Sequence, residues 1–179
     1  SKVSSVASFF VSRVDTAVDS RLGIGHDDLK GSAAIANAKL AYRDFGKDFG
    51  SARFEKLESK GARVQRPLWA STSTKNPEYS DVMYPEALMG SNTVDTMPEP
   101  TLLAFIEHGK VAETLTKDVD KAERLFIDLE KAGIDMEKIT DALLIDGVKL
   151  FADSYDQLLT DITKKRTGLL KEATPVGSG

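Results

Sequence analysis

The sequence contains no cysteine. Disulfides and thiolate metal sites are therefore excluded, and a reducing compartment, the cytoplasm, is the expected location. Histidine is nearly absent too: His26 and His108 are the two in the chain, far apart in sequence, and they give little basis for a histidine metal centre or a Ser-His-Asp triad. No apolar run approaches the roughly 18 residues that a membrane span needs. The stretch from Ser1 onward also lacks the basic region and apolar core of a secretory signal. Nor is there an excess of basic charge. With 24 Lys and Arg against 28 Asp and Glu, the net charge is −4 and the pI about 5.3, whereas a general nucleic-acid binder shows a basic face. Composition thus points away from thiolate and histidine metal sites, nucleic acid and a membrane, and neither a metal nor a cofactor is expected.

What is present is a chain of 179 residues, 41% hydrophobic and 29% charged, long enough to bury a core as one domain. Its most informative stretch is Arg66-Pro67-Leu68-Trp69-Ala70-Ser71-Thr72-Ser73-Thr74-Lys75-Asn76-Pro77. The first half suits a buried strand, with Pro67 as the strand's first residue. The second half is four hydroxyl residues, a cation and an Asn-Pro turn signal. Strand ends carry the sites of parallel α/β folds, so hydroxyls and a lysine there suggest an anionic, hydroxylated ligand. A plain polar loop is the competing reading of the same residues.

Upstream, the Val- and Phe-rich run 3–14 predicts a strand over about 5–13, with Arg13 and Asp15 at its C-terminal end. A short helical turn over 14–22 follows. Asp27 and Asp28 are placed to cap a long helix whose apolar face is Leu29, Ala33, Ala36, Leu40 and Ala41, extended by Phe45 and Phe49. A short helix over 52–60 stops at Gly61. After the central strand, 64–71, come one or two helical turns at 85–89 and a third short strand at 92–97. Pro100 can open a helix over 101–108. From Asp118 the chain is helical: a segment striped by Ala122, Leu125, Phe126 and Leu129 and ended by Gly133, a segment 135–146, and a last helix from Val148 to about Leu170. The last helix carries the stripe Leu150, Phe151, Tyr155, Leu158, Leu159 and Ile162, expected to be core contact. The tail 173–179 reads as a disordered terminus or a cloning remainder. Strands alternating with helices imply a parallel sheet. Three parallel strands make either a small open sheet or a part of something larger.

Four motifs taken in order, Ser5-Val6-Ala7-Ser8-Phe9-Phe10-Val11-Ser12-Arg13-Val14-Asp15, Gln65 to Thr72, Lys75-Asn76-Pro77 and Asn92 to Glu99, closely resemble the C-terminal part of transaldolases of the longer bacterial type. The similarity runs from Ser1 to about Glu172. What the resemblance implies is an α/β fold forming part of a (β/α)8 TIM barrel, its sixth to eighth strands with their helices, the first five strands lying outside this sequence. The family transfers a dihydroxyacetone unit from a ketose phosphate to an aldose phosphate in the pentose phosphate pathway. A lysine forms a Schiff base with the ketone, and carboxylates move the protons. The resemblance puts that lysine on the fourth strand and the carboxylates on the first and third, so no catalytic residue is expected in this chain.

The resemblance does carry over a phosphate-binding set. Arg13 matches an arginine that grips the substrate phosphate, and a guanidinium fork suits phosphate oxygens. Ser71 matches a serine donating to the same phosphate. Lys75 follows a strand among hydroxyls, as an imine lysine would, yet its motif aligns it as a phosphate-side cation. For Arg13 the competing reading is an ion pair with Asp15; for Ser71, a plain strand-end hydroxyl. Relatives of the shorter type carry an aromatic where Thr72 stands, and no role is carried over for that position. His26 and His108 read as solvent or cap residues, and Asp95 as a backbone-bonded residue of the last strand. The expected partners are sugar phosphates and the missing N-terminal barrel segment, with self-association through exposed strand edges. Family members can also be fused to a sugar-phosphate isomerase. The alternative function is a catalytically inactive sugar-phosphate-binding or structural barrel fragment.

Overall fold

β1 (Ser5–Phe10), β2 (Gln65–Ala70) and β3 (Val94–Thr96) lie side by side in that order, and both pairings are parallel. The computed structural model describes residues 3–172, so the tail 173–179 lies outside the described residues. Register fixes the two faces of the sheet. Phe9 stands opposite Trp69, and Trp69 opposite Asp95, so these three share one face. Trp69 is buried there, its ring 5.5 Å from that of Phe9 and its indole N–H donating to the Leu88 carbonyl at 3.1 Å. The other face is formed by Val6, Ser8 and Phe10, by Arg66, Leu68 and Ala70, and by Val94 and Thr96. Val6 is 40% exposed. Pro67 lies inside β2 rather than at its first residue. Pairing with β3 begins only at Leu68, so the β3 side of Pro67 carries no ladder.

The first strand is shorter than its β-branched residues predict. It ends at Phe10, and Val11–Asp19 form helix α1 with no intervening loop. Val11, Val14 and Val18 recur at helical spacing and are buried, and this tertiary burial overrides the β propensity of the run. Arg13 therefore sits in the first turn of a helix, not at the end of a strand.

The long helix also starts later than its sequence signals indicate. Asp27–Leu29 form one 3-10 turn, and α2 runs Ala33–Phe49. Its N-terminal amide at Ala34 is capped from another element, by Asp15 of α1 at 2.7 Å. α2 packs Ala33, Ala34, Ala36 and Ala38 inward, and small side chains let α1 and α6 (Val119–Lys131) approach it closely. Phe45, Phe49 and Phe54 continue the apolar face, with ring centroids 5.1 Å apart in a tilted pair and 4.8 Å apart in an edge-on pair, joining α2 to α3 (Ala52–Glu58). The turn after α3 closes at Gly61 with φ 91°, as its stop signal predicts. Two further helices, α4 (Met83–Ala87) and α5 (Glu99–His108), flank β3 in sequence.

Tertiary contacts divide the chain after Ile139. α7 spans Met136–Glu172 as one helix, where a break near Gly147 was expected; a lone glycine inside a helix costs about 1 kcal/mol relative to alanine but does not end it. The stripe of this helix, expected to be core contact, is exposed. Leu150, Tyr155, Leu158, Leu159 and Ile162 are 46–61% exposed, and Phe151 63%. Periodicity determines which residues share a helix face, and nothing in it says what covers that face. Among the described residues no helix is long and apolar enough to cross a membrane.

Candidate functional site

Phe10 and Ala70 are the last register pair of β1 and β2, and the residues just beyond them meet. The Ser12 amide donates to the Ser71 carbonyl at 3.1 Å, and the two hydroxyl oxygens lie 2.8 Å apart. Arg13 follows Ser12 on α1, with its guanidinium carbon 4.5 Å from the centroid of the Phe10 ring. Ser71, just beyond β2, thus touches Ser12, the residue before Arg13; a cation and a hydroxyl are donor types that suit an oxyanion. The competing reading, an ion pair of Arg13 with Asp15, finds no such pair among the described residues; Asp15 is buried and bonded to Ala34 and Tyr84 instead.

Ser71 itself is conformationally unusual, with φ 56° in the left-handed region that disfavours residues bearing a Cβ. The chain is pinned again one residue later. Thr72 is fully buried, and its hydroxyl donates to Asp95 Oδ1 on β3 at 2.8 Å. Asp95 therefore bonds a side chain rather than backbone, because Thr72 reaches it across the strand end. Its burial raises its pKa, and the Thr72 hydrogen bond acts against that rise.

Lys75 lies further along the loop. Its ammonium donates to Ser73 Oγ at 2.7 Å, and the side chain is exposed. It lines a pocket of about 230 Å³ with Asp15, Thr16, Asp19, Asn76, Tyr79 and Tyr84. No hydrogen bond among the described residues ties Lys75 to Arg13 or Ser71; Ser71 is tied to Ser12, the residue before Arg13, and Lys75 lines an acidic pocket.

That pocket is built on two carboxylates one helical turn apart on α1. Asp15 Oδ1 accepts the Ala34 amide, and Oδ2 accepts the Tyr84 hydroxyl at 2.7 Å. Asp19 accepts the Gly31 amide at 3.1 Å and the Tyr79 hydroxyl at 2.7 Å. Gly31 has φ 67°, and a Cβ there would stand 2.7 Å from the Tyr79 ring, so this close approach requires glycine. Burial lifts the Asp15 carboxyl to about 6, its hydrogen bonds to Ala34 and Tyr84 opposing the rise. Burial first and the Asp19 bond second push the Tyr79 hydroxyl up to about 12. The acids and tyrosines hold α1, the start of α2 and the β2–α4 loop together.

Of the histidines, His26 precedes the 3-10 turn. His108 shares a 2.9 Å hydrogen bond with Asp81 at the surface, which raises its pKa. Among the described residues no three His, Cys, Asp or Glu side chains are grouped to hold a metal. Sequence reasoning passed over Ser12, Tyr84 and the pinning by Thr72. A serine before an arginine carries no local signal; its partner stands 59 positions away.

A three-stranded parallel sheet with helices between its strands defines the general class, an α/β protein. The Transaldolase/Fructose-6-phosphate aldolase family model matches residues 2–162. The chain belongs to that family, and its parallel strands and flanking helices fit part of a TIM barrel. Among curated relatives, a protein named transaldolase from Mycolicibacterium smegmatis is 50% identical over 164 residues, covering 89% of this chain and 44% of that protein. Transaldolases from a Parafrankia species and from Neisseria meningitidis are 48% and 46% identical, over 92% and 88% of this chain. The chain thus spans a little under half the length of these relatives, 44–46%.

Proposed function

We propose that this chain supplies the phosphate-binding part of a transaldolase site. The reaction is transfer of a dihydroxyacetone unit between sugar phosphates, with the Schiff-base lysine and the acid–base carboxylates provided outside these 179 residues. The observation that carries the reading is the 2.8 Å Ser12–Ser71 contact, which ties the residue after β2 to the first turn of α1, where Arg13 follows Ser12, in a chain of the transaldolase family. Arg13 supplies charge and a planar fork of N–H donors to the phosphate oxygens. Ser71 adds a hydroxyl donor from a backbone held in a single conformation, so little ordering is left to binding. Lys75 adds an exposed positive charge on the loop after β2, strongest as a long-range attraction for the incoming anion. A cytoplasmic setting and sugar-phosphate substrates accompany this reading.

The test is calorimetric titration of the chain with inorganic phosphate and with fructose 6-phosphate. Arg13→Ala is expected to weaken both by roughly tenfold or more, as loss of a charge-assisted contact does. Lys75→Ala is expected to have a smaller effect that fades with salt. Equal affinity of wild type and Arg13→Ala overturns the assignment. Borohydride treatment with fructose 6-phosphate is expected to leave Lys75 unmodified, and an adduct on Lys75 would make it the nucleophile instead.

A further inference from the structure

Ser71 pays a conformational cost that nothing in its own sequence neighbourhood explains. A non-glycine residue at φ 56° is strained by about 1 kcal/mol, and such strain persists only where the surroundings impose it. On the β3 side the backbone is anchored by the Thr72–Asp95 bond. On the β1 side the anchor is Ser12, which contacts Ser71 twice, amide to carbonyl and hydroxyl to hydroxyl. Ser12 is itself 2% exposed, and its own carbonyl is occupied by the Thr16 hydroxyl at 2.9 Å. Its hydroxyl is therefore buried against Ser71 and cannot reach an anion in solvent.

We propose that Ser12 is a positioning residue of the phosphate subsite: its hydroxyl donates to Ser71 Oγ and holds Ser71 in its left-handed conformation. The Ser71 proton is then free to donate to a phosphate oxygen. This inference rests on the phosphate-binding reading above and extends it by one residue. The direction of the hydroxyl pair follows from the acceptor character of phosphate. An oxyanion takes the Ser71 proton, so the Ser12 proton must point toward Ser71.

A thermodynamic cycle with inorganic phosphate as the probe separates this role from simple packing. Ser12→Ala and Ser71→Ala are each expected to weaken phosphate binding roughly three- to tenfold, the usual range for one hydrogen bond. The double variant is expected to bind no more weakly than Ser71→Ala alone, because Ser12 acts only through Ser71. An additive double variant, or Ser12→Ala binding as wild type while Ser71→Ala is weakened, overturns the positioning role and leaves the subsite standing. Wild-type affinity in Ser71→Ala overturns the subsite itself. A ligand-free measurement stands beside the cycle: the Ser71 Cα and Cβ chemical shifts are expected to report left-handed backbone in wild type and to move toward extended values in Ser12→Ala. Unchanged shifts overturn the proposal even if the chain binds no phosphate. Should alanine at 12 prevent folding, Ser12→Cys, similar in size with a weaker donor, takes its place in both measurements.

Discussion

Asp15 and Tyr84 meet inside the protein, the tyrosine hydroxyl donating to the carboxylate at 2.7 Å across 69 positions of sequence. Asp15 is 1% exposed, and its other oxygen caps α2. One buried carboxylate therefore joins three elements, and its protonation state bears on how firmly they are joined.

The pH dependence has a definite sign. Burial raises the Asp15 pKa from 3.8 to about 6, so the folded protein holds this proton more tightly than the unfolded chain. The contribution of Asp15 to stability is greatest below about 3.8 and declines as pH rises through about 6. In Asp15→Asn the group no longer titrates. The stability of wild type minus that of Asp15→Asn should fall across this window by on the order of 3 kcal/mol. Urea unfolding at several pH values measures it, followed by the fluorescence of Trp69, the single tryptophan. A difference that stays flat from pH 4 to 7 rejects the assignment. Tyr84→Phe removes a bond that lowers the Asp15 pKa, so it should shift the decline to higher pH and cost about 1–3 kcal/mol.

The parts of the fold legible in sequence were those whose signals are local. Pro100 in the first turn of α5 and Gly133 just beyond α6 mark those ends directly, Gly133 with φ 84°. The hydroxyl-rich run after Trp69 likewise announced the end of β2. What was hidden depends on partners distant in sequence. Val11 to Val18 became helix because three valines are buried together, and the start of α2 was set by Asp15, 19 residues before the amide it caps. At the site, the motifs around Arg13 and Ser71 were recognisable through family resemblance. Ser12 was not, since its significance lies wholly in its contact with Ser71. The α7 stripe is legible as one helix face, and its residues are exposed.

Two glycines should respond to alanine with opposite signs. At Gly90 an added Cβ would stand 2.8 and 2.9 Å from the Cδ2 and Cβ of Leu115, a side chain with no exposure. A Cβ sits too near its own backbone to yield as a side-chain tip does, so Gly90→Ala should destabilise by about 1–3 kcal/mol. At Gly46, inside α2, the same Cβ meets nothing within 4 Å. Gly46→Ala should stabilise by about 0.5–1 kcal/mol through helix propensity. Urea midpoints of the two variants check both signs, and a destabilised Gly46→Ala would contradict the open helix face described here.

Lys39 supplies the last case, a cation used as a fastener. It is 9% exposed on α2, and its ammonium donates to the carbonyls of Thr114 and Lys117 at 3.0 and 2.7 Å. Burial lowers its pKa, the cost of holding a charge there. The loop it grips has little regular structure; the amides of Thr114 and Leu115 also bond the Met89 carbonyl. Lys39→Met keeps the apolar stem and removes the donors, leaving two carbonyls to find water. The loop should open locally at a cost of about 1–3 kcal/mol. Trypsin reads this opening directly, because Lys110 and Lys117 lie within the loop segment. Cleavage at both should accelerate in Lys39→Met, while cleavage at Arg53 and Lys56 in α3 should keep its wild-type rate. Acceleration at all four sites alike would mean that the substitution loosens the whole fold and that Lys39 is not a local clasp.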